Sequence, residues 1–180
     1  MKFEKRSTRE ILALNRRRTS PLGERVILMA HNIRSLHNVG ALFRSADGFG
    51  IGELWLSGYT PRPPRAEISK TALGSEESVR WHSVEKPAEE IQQLKASGFE
   101  IWALEQTHQS RMLTEIEPGG SKVCLLIGNE VTGVDEELLR LADSAVEIPQ
   151  FGEKHSLNVS VAAGIALYAL LEKFESNHTR

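Results

Sequence analysis

The chain has 180 residues, of which 40% are apolar and 26% charged, with a formal net charge of −2 and one cysteine. That length gives a single domain whose core can bury roughly two thirds of the unfolded surface, and a lone cysteine excludes an internal disulfide scaffold. The opening residues MKFEKRSTRE lack the apolar stretch of a secretory signal, and the longest apolar run, 161–171, is too short to span a bilayer, so the expected setting is cytoplasmic and free of membrane.

The net charge conceals an asymmetry. Residues 1–25 carry eight basic and three acidic side chains, while the remainder carries 14 basic and 21 acidic. A basic arm (1–21) on a mildly acidic body (22–175), followed by a short tail (176–180), points to a polyanion touched locally, or else to a solvated terminus.

In chain order, residues 8–18 predict a short basic helix that ends before Ser20-Pro21. The run 25–31 is β-branched and apolar and predicts a buried strand. Residues 38–50 predict a helix, with Val39, Leu42, Phe43 and Ala46 on one face, Asn38 as its N-cap and Gly48 and Gly50 at its stop. ELWLSG predicts a second strand. YTPRPPRAE, with three prolines, predicts a loop with a basic tip at Arg62 and Arg65. KTALGSEESVRWHS is ambiguous between a helical turn and a short strand. PAEEIQQLKASG predicts an amphipathic helix with Pro at its start and Gly at its end. FEIWALEQ and KVCLLIG predict strands, the latter buried on both faces. VDEELLRLAD predicts a helix with acids in its first turn. SAVEIP predicts a strand, and residues 156–174 a long final helix. The alternation predicts an α/β protein with a mostly parallel sheet flanked by helices. The final helix is apolar on nearly every side, which predicts burial of its second face against another copy of the chain, a homodimer.

Three segments offer chemistry, each joining a strand end to a helix, where open α/β sheets bind ligands. In the first, Arg44 lies opposite Leu42 and Ala46, away from the core. Asn38 is six residues earlier, about 120° around an ideal helix, and so reads as a cap rather than as a neighbour of Arg44. In the second, Gly128 would let a ligand approach the backbone, and Glu130 offers a carboxylate beside it. In the third, Ser156 and Asn158 are good capping residues, and Asn158, read inside an apolar helix, needs hydrogen-bond partners. Each has a plain structural alternative: a solvated arginine, a glycine turn with a capping acid, and helix caps. The six histidines show no metal-ligand spacing, so no metal is expected. Gly48-Phe-Gly50-Ile-Gly52 follows a helix rather than a strand and fails as a dinucleotide fingerprint. Cys124, inside a strand, reads as core.

Taken together, NVGALFRSADGFG, LLIGNEVTGVD and EIPQFGEKHSLNVSVAAGIAL resemble, in order and spacing, the three motifs of the SpoU/TrmH family of RNA ribose 2′-O-methyltransferases, and ISKTALGSEESVRW is similar as well. The resemblance covers about residues 22–172. It implies the SPOUT fold with a C-terminal trefoil knot, a homodimer packed through the last helix, and S-adenosyl-L-methionine bound by loops beginning near Leu104, at Gly128 and across Ile148 and Leu157. It implies that Arg44 activates the ribose hydroxyl, that Asn38 lies near the active centre, that Glu130 holds the catalytic geometry, and that Ser156 and Asn158 surround cofactor and substrate. Arginine is a poor base at neutral pH, so Arg44 acts either in dry surroundings beside an RNA phosphate or as an electrostatic clamp. Arg16, Arg17, Arg18, Arg62 and Arg65 are the candidate contacts to transfer or ribosomal RNA. The alternative is a catalytically silent RNA-binding or ribosome-assembly factor with the same fold.

Overall fold

The computed structural model describes residues 3–176. Its elements are α1 (Thr8–Asn15), β1 (Val26–His31), α2 (Leu36–Phe49), β2 (Glu53–Ser57), α3 (Ala66–Ala72), α4 (Ser75–Ser78), β3 (Trp81–Val84), α5 (Pro87–Ala96), β4 (Phe99–Leu104), β5 (Arg111–Met112), β6 (Lys122–Ile127), α6 (Glu136–Leu139), β7 (Ser144–Glu147) and α7 (Val159–Ser176). The expected tail lies, apart from Ser176, outside the described residues.

The seven strands form one sheet in the order β3-β2-β1-β6-β4-β7-β5, and every ladder in it is parallel. The apolar runs of β1 and β6 occupy its centre, and alternate residues go to opposite faces. Val26, Leu28 and Ala30 of β1 and Val123, Leu125 and Ile127 of β6 pack into one core with α2, α3 and α7. Ile27, Met29, Cys124 and Leu126 pack into the second core with α5 and α6. These strands have no solvent face, so they need no polar alternation. Cys124 is wholly buried, and burial pushes its thiol up to about 12, which makes it an inert core residue.

Several expected boundaries move, for local reasons. Helix α1 stops at Asn15, so Arg16, Arg17 and Arg18 follow it in an exposed turn; Ser7 and Glu10 close its start as a reciprocal capping box. No residue of α1 is buried. Helix α2 begins at Leu36 because Ser35, not Asn38, is its N-cap, its hydroxyl accepting from the Asn38 N–H. Gly48 lies within α2, and Gly50 alone ends it, at φ +59°. The proline loop gives way to α3 at Ala66, the ambiguous stretch becomes α3, α4 and β3, and the helix expected over 134–143 shrinks to the single turn α6. Helix α7 starts at Val159 rather than 156.

Helices α2 and α7 lie side by side and parallel. Asn38 meets Asn158, Ser45 lies beside Gly164, and Phe49 rings against Tyr168 at 6.4 Å, a nearly constant offset along both chains. On the other flank, α2 meets α3 at Gly40, where an added Cβ would sit 2.6 Å from the Ile68 carbonyl oxygen and 2.8 Å from Thr71 Cβ. Gly40→Ala therefore forces the two helices apart. Alanine gains about 1 kcal/mol of helix propensity, but overpacking costs roughly 1–3 kcal/mol. A lower melting temperature in thermal denaturation is the expected result, and a higher one would show that the helices yield freely.

Candidate active site

The C-terminal ends of β4, β6 and β7 open onto one pocket of about 500 Å³, within the size range of small-ligand sites. Its walls bring together Leu104, Gly128, Ile148 and Leu157, from the three loops that the sequence singled out, and also Glu130 and Ser156. Asn158 sits on the rim between the lining residues Leu157 and Val159.

Glu130 is the hub. Its carboxylate accepts hydrogen bonds from the backbone N–H groups of Arg34 (3.0 Å) and Ser35 (3.1 Å), and from the Asn38 side-chain amide (2.9 Å). These donors crowd the mouth of α2, where unpaired N–H groups and the helix dipole favour an anion. Asn38 Oδ1 in turn accepts from Asn158 Nδ2 at 3.0 Å. Asn158 Oδ1 accepts from the Ser160 N–H (3.0 Å) and hydroxyl (2.6 Å) and lies 3.4 Å from the Val161 nitrogen, capping α7. One unbroken chain of hydrogen bonds thus ties the three predicted segments together at the pocket rim. Asn158 is not buried inside a helix, as the apolar pattern had indicated; it is an exposed cap whose amide oxygen and nitrogen both have partners.

Gly128 also serves a purpose within its own loop. A Cβ there would collide with the backbone of Gly133 and Val134. The glycine, which also lines the pocket, lets its own loop fold into a tight hairpin, with Asn129 and Gly133 exchanging 2.9 Å backbone hydrogen bonds.

Arg44 does not line the pocket. It is exposed on the outward stripe of α2, about 9 Å along the axis from Asn38, and has no hydrogen bond or ion pair among the described residues. Ser156 is an exposed lining residue that makes no hydrogen bond there. Arg16, Arg17, Arg18, Arg62 and Arg65 are all exposed. Among the described residues no group of three His, Cys, Asp or Glu side chains could hold a metal ion, and no helix is long and apolar enough to cross a membrane.

Sequence reasoning missed the residues that brace the loops. Glu105 accepts from the Val134 N–H (2.9 Å), and Gln106 Nε2 donates to the His155 carbonyl (2.8 Å), so the end of β4 clamps both other loops. Asn129 Oδ1 accepts from the Val131 and Thr132 N–H groups. Buried His31 bridges the Ser57 hydroxyl (2.8 Å) and the Asp135 carboxylate (3.0 Å). The available signal was a polar residue directly after an apolar strand, as in Ala30-His31, Leu104-Glu105 and Gly128-Asn129.

A family model described as the SpoU rRNA Methylase family matches residues 25–168. The chain is 35% identical over 144 residues to a tRNA (guanosine(18)-2′-O)-methyltransferase of Aquifex aeolicus, a match covering 79% of this chain and 67% of that protein. It is 30% identical over 142 residues to a 23S rRNA (guanosine-2′-O-)-methyltransferase of Neisseria meningitidis, spanning 79% of this chain but 56% of that protein. Among solved structures it is similar to the A. aeolicus TrmH/SpoU tRNA modifying enzyme, with a TM-score of 0.78 and 30% identity over 88% of this chain and 81% of the other. An AdoMet-bound rRNA methyltransferase from Sinorhizobium meliloti matches with a TM-score of 0.78 and 28% identity over 86% of this chain and 58% of the other.

Burial alone would raise the pKa of Glu130, but the hydrogen bonds from Arg34, Asn38 and Ser35 outweigh it and hold the carboxyl below its ordinary 4.5. A depressed pKa stabilises the fold fully above the unfolded value and loses that contribution as pH falls through the folded one. Glu130→Gln is therefore expected to cost about 1–3 kcal/mol near neutrality. Its deficit in melting temperature should shrink on acidification below 4.5; a deficit constant with pH would show that the charge is not what holds the rim.

Proposed function

The chain belongs to the SpoU rRNA methylase family, and from that premise we propose that it is an S-adenosyl-L-methionine-dependent methyltransferase acting on a ribose 2′-hydroxyl of structured RNA, transfer or ribosomal, in the cytoplasm. The observation that carries the reading is the hydrogen-bonded chain from Asn158 through Asn38 to Glu130, which joins the family's three motif segments at the rim of one pocket. The trefoil knot belongs to the same reading.

The pocket suits the cofactor chemically. Leu104, Ile127, Ile148 and Leu157 offer apolar walls for an adenine, and the carboxylates of Glu105 and Glu147 suit a ribose diol and a sulfonium cation. When bound, the cofactor supplies an electrophilic methyl group. The protein's own task is orientation, since aligning two reactants accounts for much of such a barrier. Glu130 fixes the mouth of α2, Asn38 and Asn158 hold α2 against α7, and Ser156 offers a hydroxyl to the pocket. Arg44 is best suited to clamp negative charge on the 2′-oxygen or a neighbouring phosphate, because a guanidinium gives up its proton reluctantly.

Arg44 meets the pocket through a second copy of the chain. On the outward stripe of α7, Val161, Ile165 and Tyr168 are 51%, 41% and 54% exposed, and the outward stripe of the parallel α2, carrying Arg44, lies alongside. We read this combined surface as the dimer face, which gives the all-round apolar character of α7 its partner and places Arg44 at the interface where the active centre forms. Arg16, Arg17 and Arg18 on the arm, with Arg62 and Arg65, provide contacts to phosphates.

Calorimetric titration with S-adenosylhomocysteine, followed by methyl transfer to total transfer and ribosomal RNA, tests the reading; alkali-resistant linkages in the product mark the 2′-O-methyl group. Arg44→Ala is expected to abolish methyl transfer while S-adenosylhomocysteine binds as in wild type, and retained turnover would refute its role. Ile165→Glu is expected to convert a dimer into a folded monomer in sedimentation with loss of turnover. An unchanged mass would move the dimer face elsewhere.

A further inference from the structure

Tyr59 follows the end of β2 and is 59% exposed, in a turn whose neighbouring residues are tied down. Gly58 before it has φ +62°, and a Cβ there would run into the Asn32 side-chain oxygen. Thr60 after it is 3% exposed; its hydroxyl accepts from the Ile33 N–H at 3.0 Å and lies 2.8 Å from the Ser57 carbonyl. The Tyr59 N–H donates to Asn32 Oδ1 at 3.2 Å. At the far end of the ring, the phenol oxygen accepts from Asn129 Nδ2 at 2.8 Å. Asn129 is itself 6% exposed, and Nδ2 donates also to the Asn32 carbonyl. The ring is therefore held at both its root and its tip while its surface faces solvent.

A large aromatic surface fixed in advance loses little freedom when a flat ligand lands on it. Its location sets the ligand class. Asn129, which holds the phenol, lines the pocket and directly precedes Glu130. Arg34, whose N–H holds Glu130, is exposed, as are Arg62 and Arg65 farther along the turn, and none of the three side chains forms an ion pair among the described residues. An exposed aromatic ring flanked by uncompensated arginines is the surface that single-stranded nucleic acid uses, bases stacking on rings and phosphates meeting cations.

We propose that Tyr59 is a stacking platform for an RNA base beside the ribose to be methylated, with Arg34, Arg62 and Arg65 receiving the adjoining phosphates. This rests on the RNA reading above and goes beyond it, by naming where the nucleotide next to the reacting ribose is held.

The test compares Tyr59→Leu, which removes the aromatic face, with Tyr59→Phe, which keeps it and loses only the phenol bond. Filter binding of labelled total transfer and ribosomal RNA gives the affinity, and S-adenosylhomocysteine calorimetry monitors the pocket. Tyr59→Leu should weaken RNA binding about 5- to 150-fold, the equivalent of one base–aromatic stack, and Tyr59→Phe far less, with S-adenosylhomocysteine affinity unchanged in both. An oligoribonucleotide carrying 2-aminopurine should be quenched by wild type and Tyr59→Phe but not by Tyr59→Leu. RNA affinity undiminished in Tyr59→Leu overturns the platform while leaving the methyltransferase reading intact. Equal losses in both variants, accompanied by weaker S-adenosylhomocysteine binding, overturn it in favour of a brace for the 128–135 loop. A wild-type protein that binds S-adenosylhomocysteine but neither RNA removes the platform together with the RNA reading beneath it.

Discussion

A carboxylate placed at the mouth of a helix organises this molecule's working end. The first N–H groups of a helix have no partners within it, and just ahead of α2 the N–H groups of Arg34 and of the cap residue Ser35 find theirs far away in sequence, in Glu130. Because Glu130 follows β6 and α2 follows β1, the pairing locks two neighbouring central strands together just beyond their ends. Asn38 passes the constraint on by donating to Glu130 and accepting from Asn158, which caps α7. A helix start, a strand end and a second helix start are thus held at the rim of the pocket by polar groups that each have defined partners.

The sheet makes that convergence possible. All its ladders run parallel, so every strand delivers its following loop to the same end, and the two buried faces of the central strands β1 and β6 leave no room for polar side chains except at strand ends. Polar residues consequently collect where the chain leaves the core: His31, Ser57, Glu105 and Asn129 all sit at or directly beyond such exits. Their hydrogen bonds fix the loops, and the loops in turn set the pocket. The same logic holds Tyr59, whose N–H donates to Asn32 and whose phenol accepts from Asn129.

The pairing of α2 with α7 links the pocket to the outer surface. Parallel contact along both helices carries the Asn38–Asn158 bond at one end and the Phe49–Tyr168 ring contact at the other. It leaves two outward stripes side by side, one holding Arg44 and the other Val161, Ile165 and Tyr168. Arg44, which has no ion pair among the described residues, stands beside an apolar stripe, and this is the surface we propose a second copy covers.

Much of this was legible in the residues alone. Continuous apolar runs at 25–31 and 122–128 specify strands buried on both faces, and the helix and strand alternation specifies a parallel sheet, because each follows from local periodicity and burial. The resemblance to the family's motifs, rather than periodicity, pointed to the loops near Leu104, at Gly128 and across Ile148 and Leu157, which line the pocket. What the residues did not show was how side chains far apart in sequence meet. Asn38 looked like a cap because asparagine favours that position, yet Ser35 three residues earlier competes for it and frees Asn38 to bridge Glu130 and Asn158. Asn158 looked buried because apolar residues surround it in sequence, yet it stands at the first exposed turn. Gly128, which lines the pocket, also makes room for Gly133. For Asn38 and Asn158 intrinsic preference named a residue that matters, and only the tertiary structure assigned its partner, because a hydrogen bond between residues about a hundred positions apart has no local signature.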